Sequence, residues 1–267
     1  MKIMPEHSYN TSCRKSVSFG STDRYYKTEA GKEIGNNTWL FREDISWHNL
    51  AQLEISHFQH KDKVNIIQFA ASDGSEGYTQ IMSLLENAKR KEVNKFFPIQ
   101  AFDINEFIIN RAKSGKICLG EKDIQHLRTN SINIPTYFER MPFTFNLSDR
   151  ELETLRNHPY KIIGTRNEFK VSDILTSRIS FKQGDMFEIL PKIKDDSNTI
   201  ILCRNILGYF FEEPNIINNF VETISKVLKK GSLFVIGKLD TELLKIEKLL
   251  KDNSFIKISK NVFLKVK

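Results

Sequence analysis

A chain of 267 residues with 40% apolar content can bury a full hydrophobic core and has the length of one large α/β domain, or of one domain with a small appendage. Its formal charge of +7 comes from basic residues scattered along the chain, so charge alone identifies no partner and reads as a basic surface. No stretch approaches the roughly 20 apolar residues that span a bilayer, and the amino terminus lacks a signal-peptide core, which points to a cytoplasmic protein without membrane insertion.

The three cysteines (Cys13, Cys118, Cys203) have no Cys-x-x-Cys spacing, indicate neither a disulfide framework nor a zinc site, and are expected to be reduced thiols. Residues 1–35 are polar and poor in apolar anchors, and are expected to form a flexible or loosely docked arm ahead of one domain over 36–267. The texture changes at Val64. Residues 64–71 are a β-rich apolar run closed by Ser72-Asp73-Gly74-Ser75 and followed by a helical pattern carrying Ile81, Leu84 and Leu85.

This unit of strand, tight loop and helix recurs. Residues 98–102 end in Asp103 and lead into a short helix over 106–112; residues 179–184 end in Asp185; residues 199–203 end in Arg204-Asn205. Residues 215–228 read as a helix, with Pro214 in its first turn, where the missing N–H does no harm, and Gly231 closing it. A buried strand over 232–237 and a single helix over 241–251 follow, and then two alternating runs about Lys260-Asn261 that read as a hairpin. Alternating strands and helices imply an α/β fold with a mostly parallel sheet and an antiparallel hairpin at its carboxyl end. Residues 135–173 break the rhythm with Pro142, Pro159, an amphipathic stretch around 147–155 and a basic turn over 161–170, and are expected to form a small inserted subdomain.

In an open α/β sheet, ligands sit at the carboxyl ends of the strands, so the polar residues there are the candidates. The loop 70–78 offers small residues and a helix N-terminus. Asp103 has two readings: acceptor for both ribose hydroxyls of a nucleoside, or N-cap in the capping box Asp103-Ile104-Asn105-Glu106. His57 and His60 have helical spacing for a shared metal but no third ligand, and read as a solvated pair. Ser72 and Ser75 show no base partner for a nucleophilic role.

The run 199–210, Thr-Ile-Ile-Leu-Cys-Arg-Asn-Ile-Leu-Gly-Tyr-Phe, resembles the C-R-N-x-L-x-Y-F signature of the CheR-type chemotaxis-receptor methyltransferases. Four further segments agree in order. Residues 36–42, Asn-Asn-Thr-Trp-Leu-Phe-Arg, resemble the family's N-x-T-x-F-F-R. The loop 70–78 resembles A-x-x-S-x-G-E-E-P-Y, with Ala71, Glu76 and Tyr78 at matching positions and Ser75 and Gly77 where the family prefers Glu and Pro. Residues 102–117 and 169–186 resemble D-I-(x)n-A-R-x-G-x-Y and Y-x-V…V-x-F-x-x-x-N-L, with Asp185 in place of Asn.

The resemblance, over roughly 36–240, implies a class I, Rossmann-like methyltransferase fold with S-adenosylmethionine as cofactor and S-adenosylhomocysteine as product. It implies cofactor contacts from Asn36, Thr38, Ala71, Glu76, Asp103, Asp185, Met186, Asn205 and Ile206, and catalytic roles for Arg42 and Tyr209. A carboxylate in place of Asn at 185 can accept from adenine's exocyclic amine but cannot donate to a ring nitrogen. The implied reaction is methyl transfer to a carboxylate oxygen, with a protein glutamate or similar group as acceptor. The alternatives are a methyltransferase acting on nucleic acid or a small molecule such as a small carboxylate, and a non-catalytic module that binds the cofactor. Members of the family carry a helical domain ahead of N-x-T-x-F-F-R where this chain has a short arm, and the insertion over 141–166 is longer than theirs, so the acceptor protein stays unassigned.

Overall fold

A computed structural model describes residues 25–27, 33–35, 38–143, 147–163, 166–194 and 198–267. Of the expected arm it describes two three-residue strands, β1 (Tyr25–Lys27) and β2 (Glu33–Gly35), paired antiparallel; the rest of the arm, and Asn36, lie outside the described residues.

Each apolar run of the sequence becomes a strand. In chain order these are β3 (Asn65–Phe69), β4 (Ile99–Asp103), β5 (Lys116–Gly120), β6 (Phe138–Arg140), β7 (Arg166–Val171), β8 (Ile179–Gln183), β9 (Thr199–Cys203), β10 (Leu233–Ile236), β11 (Phe255–Ser259) and β12 (Val262–Lys265). Seven of them form one sheet in the order β11-β12-β10-β9-β3-β4-β8. The pairs β10·β9, β9·β3, β3·β4 and β4·β8 are parallel, and β12 runs antiparallel between β10 and β11. Sequence order reverses between β3 and β9, and this is the switch point at which a doubly wound sheet opens its crevice.

The period of two along the central strands divides the core between the two faces. Ile66, Ile200, Leu202, Leu233 and Val235 pack on one side with Leu50 and Ala51 of α1 (Trp47–His57) and Ile81 and Leu84 of α2 (Ser75–Asn87). Their neighbours Ile67, Phe69, Ile201, Cys203, Phe234 and Ile236 pack on the other, against Ile217, Phe220, Val221 and Ile224 of the helix Pro214–Val227. Strands buried on both faces read as unbroken apolar runs, which is how they stood out in the sequence.

The segment that broke the α/β rhythm belongs to a separate three-stranded antiparallel sheet, order β5-β7-β6, which recruits β5 from upstream as well. Arg140 ties its loop down, donating to the carbonyls of Pro159 and Lys161 and to Asn167 Oδ1 while lying over the Phe169 ring. Two local expectations are corrected. The helix expected over 241–251 is two, Lys238–Leu244 and Ile246–Asp252, separated by Lys245 at φ +47°; no Gly or Pro marks the break. Cys118 is disulfide-bonded, whereas Cys203 is a free, buried thiol.

Candidate active site

The parallel strands β3, β4, β8, β9 and β10 all point their carboxyl ends to one edge, and the polar residues singled out in the sequence gather there. After β3 the backbone turns through Ala70, Ser72 and Gly74, all at positive φ, before α2 begins. Gly74 sits at φ +89°, and a Cβ there would come within 2.7 Å of Phe181 Cζ, so this turn accepts no side chain. The turn is locked by Ala71 N donating to Phe102 O and Gly74 N to Ala71 O.

Asp103, at the end of β4, is buried; its two carboxylate oxygens accept from Ser72 N at 2.8 Å and Asn105 N at 2.9 Å. The cap of the helix Glu106–Lys113 is Asn105, whose Oδ1 accepts from Ile108 N, so Asp103 is not the N-cap. Its carboxylate instead joins the β3 loop to the β4 end. Burial pushes its pKa up, despite the backbone N–H groups of Asn105, Ser72 and Ile104 that favour the charge. Next to it, Gly184 N donates to Asp103 O, and Asp185 caps the short helix Met186–Ile189 by accepting from Phe187 N. Met186 is buried, with its Sδ 4.0 Å from Cys203 Sγ.

The strongest electrostatic feature lies at the end of β9. The Arg204 side chain is fully buried, stacks over the Trp47 ring at 4.6 Å, and is held by two carboxylates, Asp44 on Nη2 and Glu76 on Nη1, the latter at 2.7 Å. Burial alone would raise the Asp44 carboxyl; Arg204, the Asn205 amide and Lys238 N more than offset it and hold its pKa below the usual range. Glu76 goes the other way: burial raises its pKa, Arg204 opposes, and the charges of Asp44 and Asp240 push it further up.

Asn205 stands at φ +56°, its Nδ2 on Asp44 Oδ2 at 2.9 Å and its Oδ1 accepting from Leu239 N at 3.0 Å, so its amide ties β9 to the residues after β10. A side chain at Gly237 would strike it, since a Cβ there lies 2.3 Å from Asn205 Cγ. Asp240 completes the frame by accepting from the backbone N–H groups of Asn205, Gly208 and Gly237.

The segment 38–44 joins this cluster through Asp44. It is pinned by Leu40 N to Asp123 Oδ1 and Phe41 N to Thr79 Oγ1; Thr38 is half-buried at its start. Arg42 is half-buried, lies 4.5 Å over the Trp39 ring, and is near enough to Asp44 and Glu76 for its charge to favour their ionised forms. Ile206 and Tyr209 are half-buried; Tyr209 lies in the single 3₁₀ turn Leu207–Phe210 just past β9. The structure thus unites Arg42, Glu76, Arg204 and Asn205 in one network, and Ala71, Asp103 and Asp185 in a second that runs from the β3 loop through the β4 end to the turn after β8. Sequence reasoning missed Asp44, Trp47 and Asp240. Asp44 stands two residues past Arg42, and Asp240, three past Gly237, has the spacing of a capping box.

His57 Nε2 lies 2.7 Å from Gly231 O, and among the described residues there is no group of three or more His, Cys, Asp or Glu that could hold a metal ion. No helix among the described residues is long and apolar enough to cross a membrane.

Solved structures similar to this chain include precorrin-8w decarboxylase from Methanobacterium thermoautotrophicum, with 12% identity and TM-score 0.36 over 78% of this chain and 72% of that one. Precorrin-6y C5,15-methyltransferase from Geobacter metallireducens is similar at 12% identity and TM-score 0.35, over 81% and 77% of the two chains. Magnesium protoporphyrin IX methyltransferase from Synechocystis, with bound S-adenosylhomocysteine, is similar at 10% identity and TM-score 0.33, over 78% and 73%. These likenesses are too distant to bear on substrate, and no curated protein matches the chain. The order of strands, the residues at their carboxyl ends and the ordered motifs converge with a sequence profile that matches residues 36–142 and 144–259: the chain belongs to the family of the CheR methyltransferase, SAM binding domain.

Proposed function

We propose that this protein transfers a methyl group from S-adenosylmethionine to a carboxylate oxygen, with the side chain of a protein glutamate or a similar group as acceptor. The observation that carries this reading is the placement of Arg42: a guanidinium packed on Trp39 and close enough to Asp44 and Glu76 for its charge to act on both.

The residues present fit the cofactor. Asp103 offers a buried carboxylate at the strand end, where ribose hydroxyls are accepted; Asp185 can accept from an adenine amine; and Glu76 supplies negative charge in the first turn of α2 for the cationic methionine moiety. The cofactor supplies an activated methyl group. The acceptor carboxylate is already ionised near neutral pH, so the protein needs no general base. Its task reduces to alignment: Arg42 holds the acceptor by charge-assisted hydrogen bonds, and Tyr209 flanks or orients it.

The deciding experiment is transfer of tritiated methyl to a lysate, scoring base-labile and base-stable product separately. A carboxyl methyl ester hydrolyses in mild base; label that survives base and is recovered in RNA or DNA would refute the carboxylate acceptor. Absence of any transfer, with cofactor binding intact, would favour a non-catalytic module.

Two predictions attach to this reading. Asp103→Ala is expected to weaken S-adenosylhomocysteine by about 1.5–3 kcal/mol in calorimetry, the scale of hydrogen bonds to a charged group. Arg42→Ala is expected to lower turnover about 10–100-fold while leaving cofactor affinity nearly unchanged. Equal losses in both would move Arg42 into the cofactor site.

A further inference from the structure

Asp44 reaches the site from outside the sheet, on the loop between Arg42 and α1, yet it bonds to residues after β9, after β10 and in the turn between β11 and β12. One oxygen takes Arg204 Nη2; the other takes Asn205 Nδ2 at 2.9 Å and Lys238 N at 3.1 Å. Its main-chain carbonyl accepts from Asn261 Nδ2 at 3.3 Å. With Asp44 on Nη2, Arg204 meets Glu76 through Nη1 and Oε2.

A guanidinium offered one carboxylate tends to close a two-bond fork on it, using both of its oxygens. Here the fork is divided between two acids. Two carboxylates thus share one buried guanidinium, with Asp240 and the half-buried Arg42 close by. The proposed donor brings two cations to this site, an ammonium and a sulfonium.

We propose that Asp44 is a positioning residue for the cofactor: by occupying Nη2 of Arg204 it keeps Glu76 from closing a two-bond pair, which leaves the second Glu76 oxygen for the ammonium group of S-adenosylmethionine. The inference rests on the assignment of Glu76 to the cofactor site and is independent of the acceptor's identity. Glu76 is faced by Arg204 from the end of β9, by Asp44 and Arg42 from the loop before α1, and by Asp240 from the helix Lys238–Leu244. Among these, Asp44 and Asp240 disfavour its charge, so removing the Asp44 charge makes Glu76 easier to ionise.

The test is calorimetric binding of S-adenosylmethionine to the full chain between about pH 5 and 8. Asp44→Asn should weaken binding at least tenfold and move the acid limb of the binding curve to lower pH. Loss of packing alone would weaken binding without moving that limb, and would overturn the proposal. In Asp44→Asn/Glu76→Gln, binding should be no weaker than in Glu76→Gln alone, because both changes act through one oxygen; additive losses would overturn it. Wild-type binding by Glu76→Gln would overturn the assignment beneath it.

A measurement on the unmodified protein covers the case in which Asp44→Asn fails to fold. Binding measured in two buffers of different ionisation enthalpy should show proton release on the acid limb in the wild type and none in Glu76→Gln. No release in the wild type would overturn the proposal.

Discussion

Arg204→Met is expected to destabilise the fold by about 3–5 kcal/mol and to remove cofactor binding with it. Methionine keeps the apolar stem beside Trp47 but leaves the Asp44 and Glu76 carboxylates buried without their cation, and a buried charge stripped of its partner costs more than the pair contributes. Asp44 keeps Asn205 Nδ2 and Lys238 N, so the larger share of the loss falls on Glu76, whose Oε2 has Arg204 as its partner. Protonation is the escape open to two such acids, and the deficit should therefore shrink as pH falls through the carboxylate range. Urea unfolding of both proteins at pH 7 and near pH 5 checks this. A deficit under about 1 kcal/mol, the scale of an exposed pair, would show that water reaches the cluster in solution.

Glu54→Gln is expected to act in the opposite direction, stabilising the protein by about 3 kcal/mol at pH 7. Glu54 lies on the buried face of α1 with no exposed surface; Gln80 Nε2 of α2 donates to its Oε2, and Oε1 has no partner. Burial pushes its pKa up to about 8, with Gln80 opposing only in part.

The sign follows from where the proton resides. Folded, the group holds its proton up to about pH 8; unfolded, it loses it near the ordinary glutamate value of 4.5. Its contribution is therefore fully present below that value and is lost as pH rises toward 8, by about 1.4 kcal/mol per unit. Glutamine has a similar shape and no such slope. The two proteins should match in stability near pH 4 and diverge through neutrality, as read from denaturant midpoints across that range. A constant difference at all pH values would mean that Glu54 does not titrate inside the fold.

The same pair bears on the site, because Glu54 on α1 and Gln80 on α2 join the helices that carry Trp47 and Glu76 at their first turns. A change that relaxes or tightens the contact between α1 and α2 acts on both walls around Arg204.

The strand runs, their loops and most of the strand-end candidates were legible in the residues, because burial on both faces and tight turns are near-neighbour effects that leave a local pattern. Two local patterns misled. Asp103 and Asn105 are both good N-cap residues two positions apart, and nothing within the segment says which one caps and which turns back to Ser72 N on another strand's loop. The helix break at Lys245 falls on a residue with no conformational signature, while Ile246 and Leu250 continue an apolar spacing that reads through it.

The charge pairing was beyond reach for a different reason. Arg204 and Asp44 are 160 positions apart, and Arg204 and Glu76 are 128 apart. Which acid meets which base is set by β9 lying beside β3 in the sheet, so that the end of one strand faces the helix that follows the other. Hydrophobic patterning carries the strands and the edge at which they end. The partner of a buried charge depends on strand order and on the loop that folds over that edge, which is why Asp44, unremarkable in the chain, holds the centre of the site.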